Sequence, residues 1–315
     1  MSAQNGSDGV KPNSSSKSST PVPKEVLASL GYVKRFIGST IVVKLGGSIL
    51  QDDVLLSQIC EDIALVRAVG VKVVLVHGGG PAINEELTRR SITWEFIDGL
   101  RVTTPAMMEV IETVLSGNVN RRIVRSLNHV GLRAVGFSGM DAGTLVCKQA
   151  DKRLQLVGEI ERVNTQLIDP VLAMEDDLGF RGIPVIAPIG AGRDGQAYNI
   201  NADWAASRVA SALGVTKMLF LTDQDGILDQ DMKLIPELDA GELVGLIEDG
   251  TVKGGMLAKA RTILHAIQNK VTDVHIMNAR RQHAIVEELF TDRGVGTVCR
   301  LRSRGVGSTS SSVKA

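Results

Sequence analysis

The stretch Ile41-Val42-Val43-Lys44-Leu45-Gly46-Gly47-Ser48 decides the fold, because a β-branched apolar run ends in a lysine and two adjacent glycines. An apolar run of this length reads as a strand buried on both faces, the habit of parallel sheets. Open parallel sheets keep their ligands beyond the carboxyl ends of the strands, where these glycines fall. Glycine lets backbone N–H groups approach an anion with no Cβ between them, and Lys44 adds a positive charge on the same edge. A strand followed by Gly-Gly is equally an ordinary turn. Weight comes from a second stretch, Val73-Val74-Leu75-Val76-His77-Gly78-Gly79-Gly80-Pro81, which repeats the order of buried strand, glycine loop and helix-forming segment. Two such strand ends in one sheet predict two anions held side by side.

Outward from these stretches, short apolar runs at 40–45, 72–77, 133–137, 183–187, 217–222, 273–277 and 297–301 alternate with helical periodicity. That alternation predicts an α/β fold with a mostly parallel sheet covered on both faces. Leu55, Leu56, Ile59, Ile63 and Val66 mark one buried helical stripe over 53–69. Met107, Ile111, Val114, Leu115, Val119, Ile123 and Leu127 mark another over 106–128, its methionines reading as packing. Residues 143–163 alternate as a hairpin that could form a flap on the substrate side. The Gly-rich, polar segment 190–200 separates two halves, although one sheet is expected to run through both. The resulting division is a disordered tail over 1–22, an N-terminal helix over 23–38, an N-terminal lobe over 39–189, a C-terminal lobe over 190–302 and a second tail over 303–315.

Composition removes several function classes. Of 315 residues, 43% are hydrophobic, enough for a core without staples. Lys plus Arg and Asp plus Glu both number 35, so the net charge is zero and no overall field draws nucleic acid or an anionic membrane. Aromatic residues are only 3%, leaving little for base stacking. Cys60, Cys147 and Cys299 are scattered, with neither zinc nor disulfide spacing, and imply a reducing compartment. No apolar run reaches the roughly 18 residues a membrane helix needs, and no signal core is present, so a cytoplasmic location is expected. An organelle transit peptide competes for residues 1–22, but the first arginine is Arg35, whereas such peptides are Arg-rich.

Three further clusters carry chemistry. Tyr198-Asn199-Ile200-Asn201-Ala202-Asp203-Trp204 precedes a helix and serves either as a set of N-caps or, if the helix begins early, as a site wall with Asn199 and Asp203 on one side. Leu221-Thr222-Asp223-Gln224-Asp225-Gly226 ends a strand. It is no calcium loop, because Leu234 stands where the twelfth-position glutamate belongs. Lys253-Gly254-Gly255-Met256-Leu257-Ala258-Lys259 opens a helix running to about Asn269, and such an N-terminus with a lysine nearby receives anions as readily as it caps a surface helix.

Together these motifs, with Asp98-Gly99-Leu100-Arg101-Val102-Thr103, Gly117-Asn118-Val119-Asn120 and Ile183 to Gly190, resemble the amino acid kinase family and, within it, the acetylglutamate kinases, over about residues 25–301. The resemblance implies a three-layer αβα sandwich whose mostly parallel central sheet has about eight strands. It also implies phosphorylation of the side-chain carboxylate of N-acetyl-L-glutamate by ATP. In that likeness Lys44, Lys259 and Asp203 are catalytic, the lysines holding the transferred group and Asp203 orienting them. Gly79, Gly80, Arg101 and Asn199 hold substrate, Arg101 as a bidentate fork on its α-carboxylate. Gly46 and Gly47 donate N–H groups to phosphate, while Thr222, Asp223, Gly254 and Met256 border the nucleotide. Mg2+ is carried by ATP phosphates and water, so no protein metal ligand is expected.

Tyr32-Val33-Lys34-Arg35-Phe36 resembles the N-terminal helix of an arginine-inhibited, hexameric branch, in which such helices interlace dimers. A helix covering its own sheet is the plainer reading. Tyr32, His275, Glu288 and Gly294 resemble that branch's L-arginine site. Ser48, Met140, Ala258 and Asn278-Ala279-Arg280 depart from the family pattern but spare the charged centre. A kinase for a related acyl amino acid, such as a carrier-linked aminoadipate, is the alternative within the enzymes. A non-catalytic arginine-sensing domain is the alternative outside them.

Overall fold

The computed structural model describes residues 24–175, 182–291 and 294–302. The expected tails at 1–22 and 303–315 lie outside the described residues. Eight strands form the main sheet in the order Glu237–Asp239, Gly296–Arg300, Asp273–Asn278, Lys217–Thr222, Thr40–Leu45, Lys72–His77, Ile183–Ala187 and Ala134–Ser138. Neighbours are parallel except Asp273–Asn278 against Gly296–Arg300, where the chain returns along the sheet. Glu237–Asp239 is an edge strand with no apolar run to announce it.

Period-two alternation in the central strand sorts its side chains between two helical layers. Ile41, Val43 and Leu45 share a core with Leu56 and Ile63 of helix Asp53–Ala68 and with Met107 and Ile111 of helix Pro105–Glu112. Val42 packs on the opposite face with Val209 of helix Ala202–Leu213 and Ile263 of helix Gly254–Gln268. Lys44, two residues after Val42, therefore points toward those last two helices. In register it lies between Val76 and Phe220, and Leu45 is level with His77, so the two glycine loops leave the sheet side by side.

The stripe over 106–128 is one rod in three parts, with α-helix at Pro105–Glu112 and Asn120–His129 and a π-helical stretch between them at Thr113–Val119. Segment 190–200 is corrected from a separator to structure. Strands Ile189–Ala191 and Ala197–Asn199 pair antiparallel and join the hairpin of Leu145–Gln149 and Gly158–Val163 in a second, four-stranded sheet. The expected hairpin over 143–163 is thus present as part of a larger sheet. No helix among the described residues is long and apolar enough to cross a membrane.

Leu75 is fully buried in the strand beside the centre. Leu75→Ala should lower unfolding stability by about 3 kcal/mol through lost burial and a residual cavity, measured by urea denaturation.

Candidate active site

Three elements converge on Asp203. Asn201 caps helix Ala202–Leu213, its side-chain oxygen accepting from the N–H groups of Asp203 (2.9 Å) and Trp204 (3.1 Å). That cap holds Asp203 in the first turn. Lys44 Nζ, from the central strand, forms an ion pair 2.8 Å from Asp203 Oδ1. Lys259 Nζ, from the second turn of helix Gly254–Gln268, donates to Oδ2 at 2.7 Å and lies 4.9 Å from the Phe220 ring centroid. Burial alone would raise the Asp203 carboxyl, but the two ammonium groups outweigh it and hold the group well below the usual carboxylate range. For Lys259 burial is the largest influence; Asp203 opposes it, the like charge of Lys44 reinforces it, and the ammonium titrates below an ordinary lysine.

A cavity of about 280 Å³ opens beside Lys44, lined by Gly47, Gly79, Gly80, Arg101 and Asn199 among others. The two glycine loops touch there, since a Cβ on Gly47 would come 2.9 Å from Pro81 Cδ and 3.0 Å from Gly80 N. Only glycine fits. Gly79 precedes helix Gly80–Arg89, whose N-terminus faces the cavity. Gly46 is corrected as an N–H donor to phosphate, because its N–H is already given to the Leu221 carbonyl at 3.1 Å.

Arg101 reaches this cavity on a tight hairpin, Phe96–Ile97 and Leu100–Arg101, turned by Asp98 and Gly99, both at positive φ. Its Nη2 donates to Asn84 Oδ1 at 2.5 Å, and its guanidinium lies 4.8 Å from the Phe96 ring and 5.6 Å from the Trp94 ring. Its Nη1 is buried without a hydrogen-bond partner among the described residues. Such an orphaned charged donor fits a ligand carboxylate. Asn199 ends a strand and donates to Thr103 Oγ1 at 3.1 Å. The expectation that Asn199 and Asp203 share a helical side is corrected, because the helix starts only at Ala202; Asn199 nonetheless shares the cavity with Lys44.

Thr222 and Asp223 lie at the carboxyl end of strand Lys217–Thr222. Hydrogen bonds from Gln224 and Thr222 and the charge of Lys259 outweigh burial and lower the Asp223 carboxyl. Gly254 and Met256 open the helix that carries Lys259. Each Asp203 oxygen is ion-paired with one lysine, and no group of three or more His, Cys, Asp or Glu among the described residues is placed to hold a metal ion. A magnesium ion carried in on a nucleotide's phosphates would not need such a group, and would offset part of their charge.

Residues 39–278 match the family model described as "Amino acid kinase family". The chain belongs to the amino acid kinase family. It is 45% identical over 283 residues to an acetylglutamate kinase of Campylobacter curvus, covering 90% of this chain and 99% of that protein. An acetylglutamate kinase of Geotalea daltonii is 44% identical, covering 86% of this chain and 95% of its own. By fold it is similar to an N-acetylglutamate synthase from Neisseria gonorrhoeae solved with coenzyme A and N-acetyl-glutamate, with a TM-score of 0.78 at 24% identity over 89% of this chain. This chain spans 63% of that longer protein.

This amino acid kinase also has a larger cavity, of about 620 Å³, at the opposite ends of the strands, and Tyr32, His275, Glu288 and Gly294 all line it. His275 Nδ1 lies 2.6 Å from Glu288 Oε1, and Lys217 Nζ lies 2.9 Å from His275 Nε2 and 3.0 Å from Asp273. Burial, the largest influence, lowers His275, so the neutral ring donates to Glu288 and accepts from Lys217. Arg300 pairs with Asp273 and Glu237. Tyr32, Val33 and Phe36 of helix Lys24–Phe36 pack on the chain's own core, as the plainer reading of that helix expects. Sequence reading missed Asn84, Trp94, Phe96, Lys217 and Arg300. The Asp98-Gly99 dipeptide was the signal for the hairpin that stacks Phe96 on Arg101.

Asp203→Asn leaves two buried ammonium groups with no counter-charge, and should cost about 3 kcal/mol or more of stability at pH 7. Because the folded carboxyl lies below its unfolded value of about 3.9, this difference should persist down to about pH 4 and shrink at lower pH. Urea denaturation of both proteins across pH checks both statements.

Proposed function

We propose that this chain transfers the γ-phosphoryl group of ATP to the side-chain carboxylate of N-acetyl-L-glutamate, giving N-acetyl-L-glutamyl 5-phosphate and ADP in arginine biosynthesis. One observation carries this reading: the buried Lys44–Asp203–Lys259 triad stands beside a cavity that also holds an unpaired Arg101 guanidinium nitrogen. A carboxylate oxygen attacks the γ-phosphorus, the new O–P bond forms, and the bond to the bridging oxygen breaks with its electron pair leaving on ADP. Such transfer needs positioning and charge compensation rather than covalent help from the protein. Lys44 and Lys259 supply the positive charge, and Asp203 pairs with both ammonium groups and keeps them aimed. Gly47, Gly79 and Gly80 present backbone N–H groups, Arg101 grips the α-carboxylate, and Asn199 meets the acetamido end. Thr222, Asp223, Gly254 and Met256 border the nucleotide, whose magnesium, when bound, would offset phosphate charge.

The reading extends to regulation. L-arginine would occupy the larger cavity, where carboxylates of Glu288 and Glu237 and the Tyr32 and Phe36 rings can receive a guanidinium. The N-terminal helix, with Leu30 exposed, would join dimers into a hexamer. The intact triad speaks against a purely sensory domain.

Purified protein should release ADP with N-acetylglutamate and prefer it to glutamate by at least about 100-fold, because a free α-ammonium beside Arg101 would be unmatched. Equal use of glutamate, or a better rate on aminoadipate, would redirect the substrate assignment. Lys44→Ala should lower kcat by on the order of 100-fold or more in a folded protein. Arg101→Lys should chiefly raise KM for acetylglutamate, since lysine cannot reproduce a bidentate ground-state contact.

Arginine titrated at fixed acetylglutamate should inhibit, and acetylglutamate should weaken arginine binding by the same factor. Light scattering should give a hexamer, and removal of residues 1–37 should abolish both properties. A dimer with a flat titration would leave the catalytic reading standing and remove the regulatory one.

A further inference from the structure

The loop that carries Gly79 is held from behind by a buried polar chain. His77 is wholly buried at the end of its strand. Its Nδ1 lies 3.0 Å from the Gly78 carbonyl oxygen and its Nε2 lies 3.2 Å from Asn120 Nδ2. Asn120, at the junction of the π-helical stretch and the following helix, also has Nδ2 2.9 Å from the Val185 carbonyl and Oδ1 2.6 Å from Arg121 Nη2. That guanidinium nitrogen reaches the Gly136 carbonyl as well. Asn120 approaches so closely that a Cβ on Gly136 would sit 2.0 Å from its Oδ1.

The polarity of each group follows from its neighbours. A backbone carbonyl only accepts, so the amide nitrogen of Asn120 faces Val185. Arginine only donates, so the amide oxygen faces Arg121. The nitrogen facing His77 can therefore only donate, and Nε2 must be unprotonated. Burial, the largest influence, pushes His77 down to about 4, so the ring is neutral near pH 7. Its single proton then sits on Nδ1 and is donated to the Gly78 oxygen.

A trans peptide is planar, with its C=O and the next N–H pointing in opposite directions. Pinning the Gly78 oxygen toward His77 therefore fixes the Gly79 N–H in the opposite direction. Gly79 N and Gly80 N lie 3.1 Å and 3.0 Å from where a Cβ on Gly47 would stand. Gly47, Gly79 and Gly80 line the cavity beside Lys44. Among the described residues neither amide has a backbone acceptor.

We propose that His77 and Asn120 are positioning residues: Asn120 selects the Nδ1-protonated tautomer of His77, and His77 thereby aims the Gly79 N–H at an oxygen of the reacting carboxylate or transferring phosphoryl group. The proposal rests on the kinase reading above. Neither side chain touches substrate; both act through one peptide plane.

His77→Leu should lower kcat by about 100-fold, as loss of one aligned donor does, with KM for ATP and acetylglutamate little changed. His77→Asn, whose Nδ2 can stand where Nδ1 stands and donate to the same carbonyl, should recover most of kcat. A role in packing alone would instead favour leucine, the more apolar substitute for a buried ring. Independently of activity, the ¹⁵N spectrum of histidine-labelled wild type should contain a neutral, Nδ1-protonated ring, assigned to His77 by its absence from His77→Asn. Asn120→Asp presents an acceptor to the ring, and should move the proton to Nε2 and lower kcat as His77→Leu does. The proposal is overturned by near-wild-type turnover of His77→Leu, by His77→Asn doing no better than His77→Leu, or by an Nε2-protonated His77 ring in the wild type. If a variant does not fold, the His77 ring is assigned in the wild type by through-bond correlation to its own backbone amide, and its tautomer decides. Failure of the kinase reading itself is told apart by wild-type protein that releases no ADP with any acyl amino acid.

Discussion

Two ammonium groups and one carboxylate are largely buried together at the carboxyl edge of the sheet, and that burial constrains the rest of the molecule. Taking a charge out of water costs several kcal/mol, so roughly compensating contacts must be in place before it is tolerated. Lys44 and Lys259 can be buried there only with Asp203 between them. A central strand, the capped first turn of one helix and the second turn of another must therefore meet to within hydrogen-bond distance. The sheet order makes this possible, because Thr40–Leu45 and Lys217–Thr222 are neighbours and both helices pack on the face to which Lys44 points. The triad keeps a surplus of positive charge, which suits a phosphoryl group whose negative charge is shared over its oxygens.

Arg101 is held by a different device. It has no carboxylate partner among the described residues; Asn84 takes one nitrogen, and the faces of Phe96 and Trp94 flank the guanidinium. Aromatic faces fix the position of a cation without neutralising it. The charge thus remains available to a ligand, at the cost of a buried donor that is unsatisfied without one. Placing Arg101 on a short Asp98-Gly99 hairpin, rather than on the sheet, lets it overhang the cavity.

The two cavities lie at opposite ends of the same strands. Lys217 begins a strand at the larger cavity, Phe220 lies beneath Lys259, and Thr222 ends that strand beside the triad. His275 and Asn278 are similarly placed on the next strand, Asn278 donating to Asp225 at 2.8 Å. Strands paired on both sides and buried on both faces are stiff, so the two cavities keep a fixed spacing along the sheet. Helix Lys24–Phe36 borders the larger cavity and is anchored to the core through the Phe36 and Phe290 rings at 6.1 Å.

Much of this was legible in one dimension. Buried parallel strands need near-continuous apolar runs, so Ile41 to Leu45 and Val73 to Val76 declared themselves, as did the glycines at their ends. Lys44, Asp203 and Lys259 stood out because a charge beside such a run or at a helix start is unusual, and the family likeness tied them together. Strand Glu237–Asp239 did not declare itself, since a three-residue edge strand carries no period. Segment 190–200 looked like a linker because its strands are short and polar, and only their pairing with a distant hairpin makes them a sheet. Whether Gly46 or Gly79 offers a free N–H depends on which carbonyl lies opposite, a relation between residues far apart in the chain. Local sequence determined the strands, the loops and the charged groups they carry; the polarity of His77, the pairing of Arg101 with Asn84 and the available backbone donors were decided only by tertiary structure, because hydrogen-bond direction is set by partners that packing brings together.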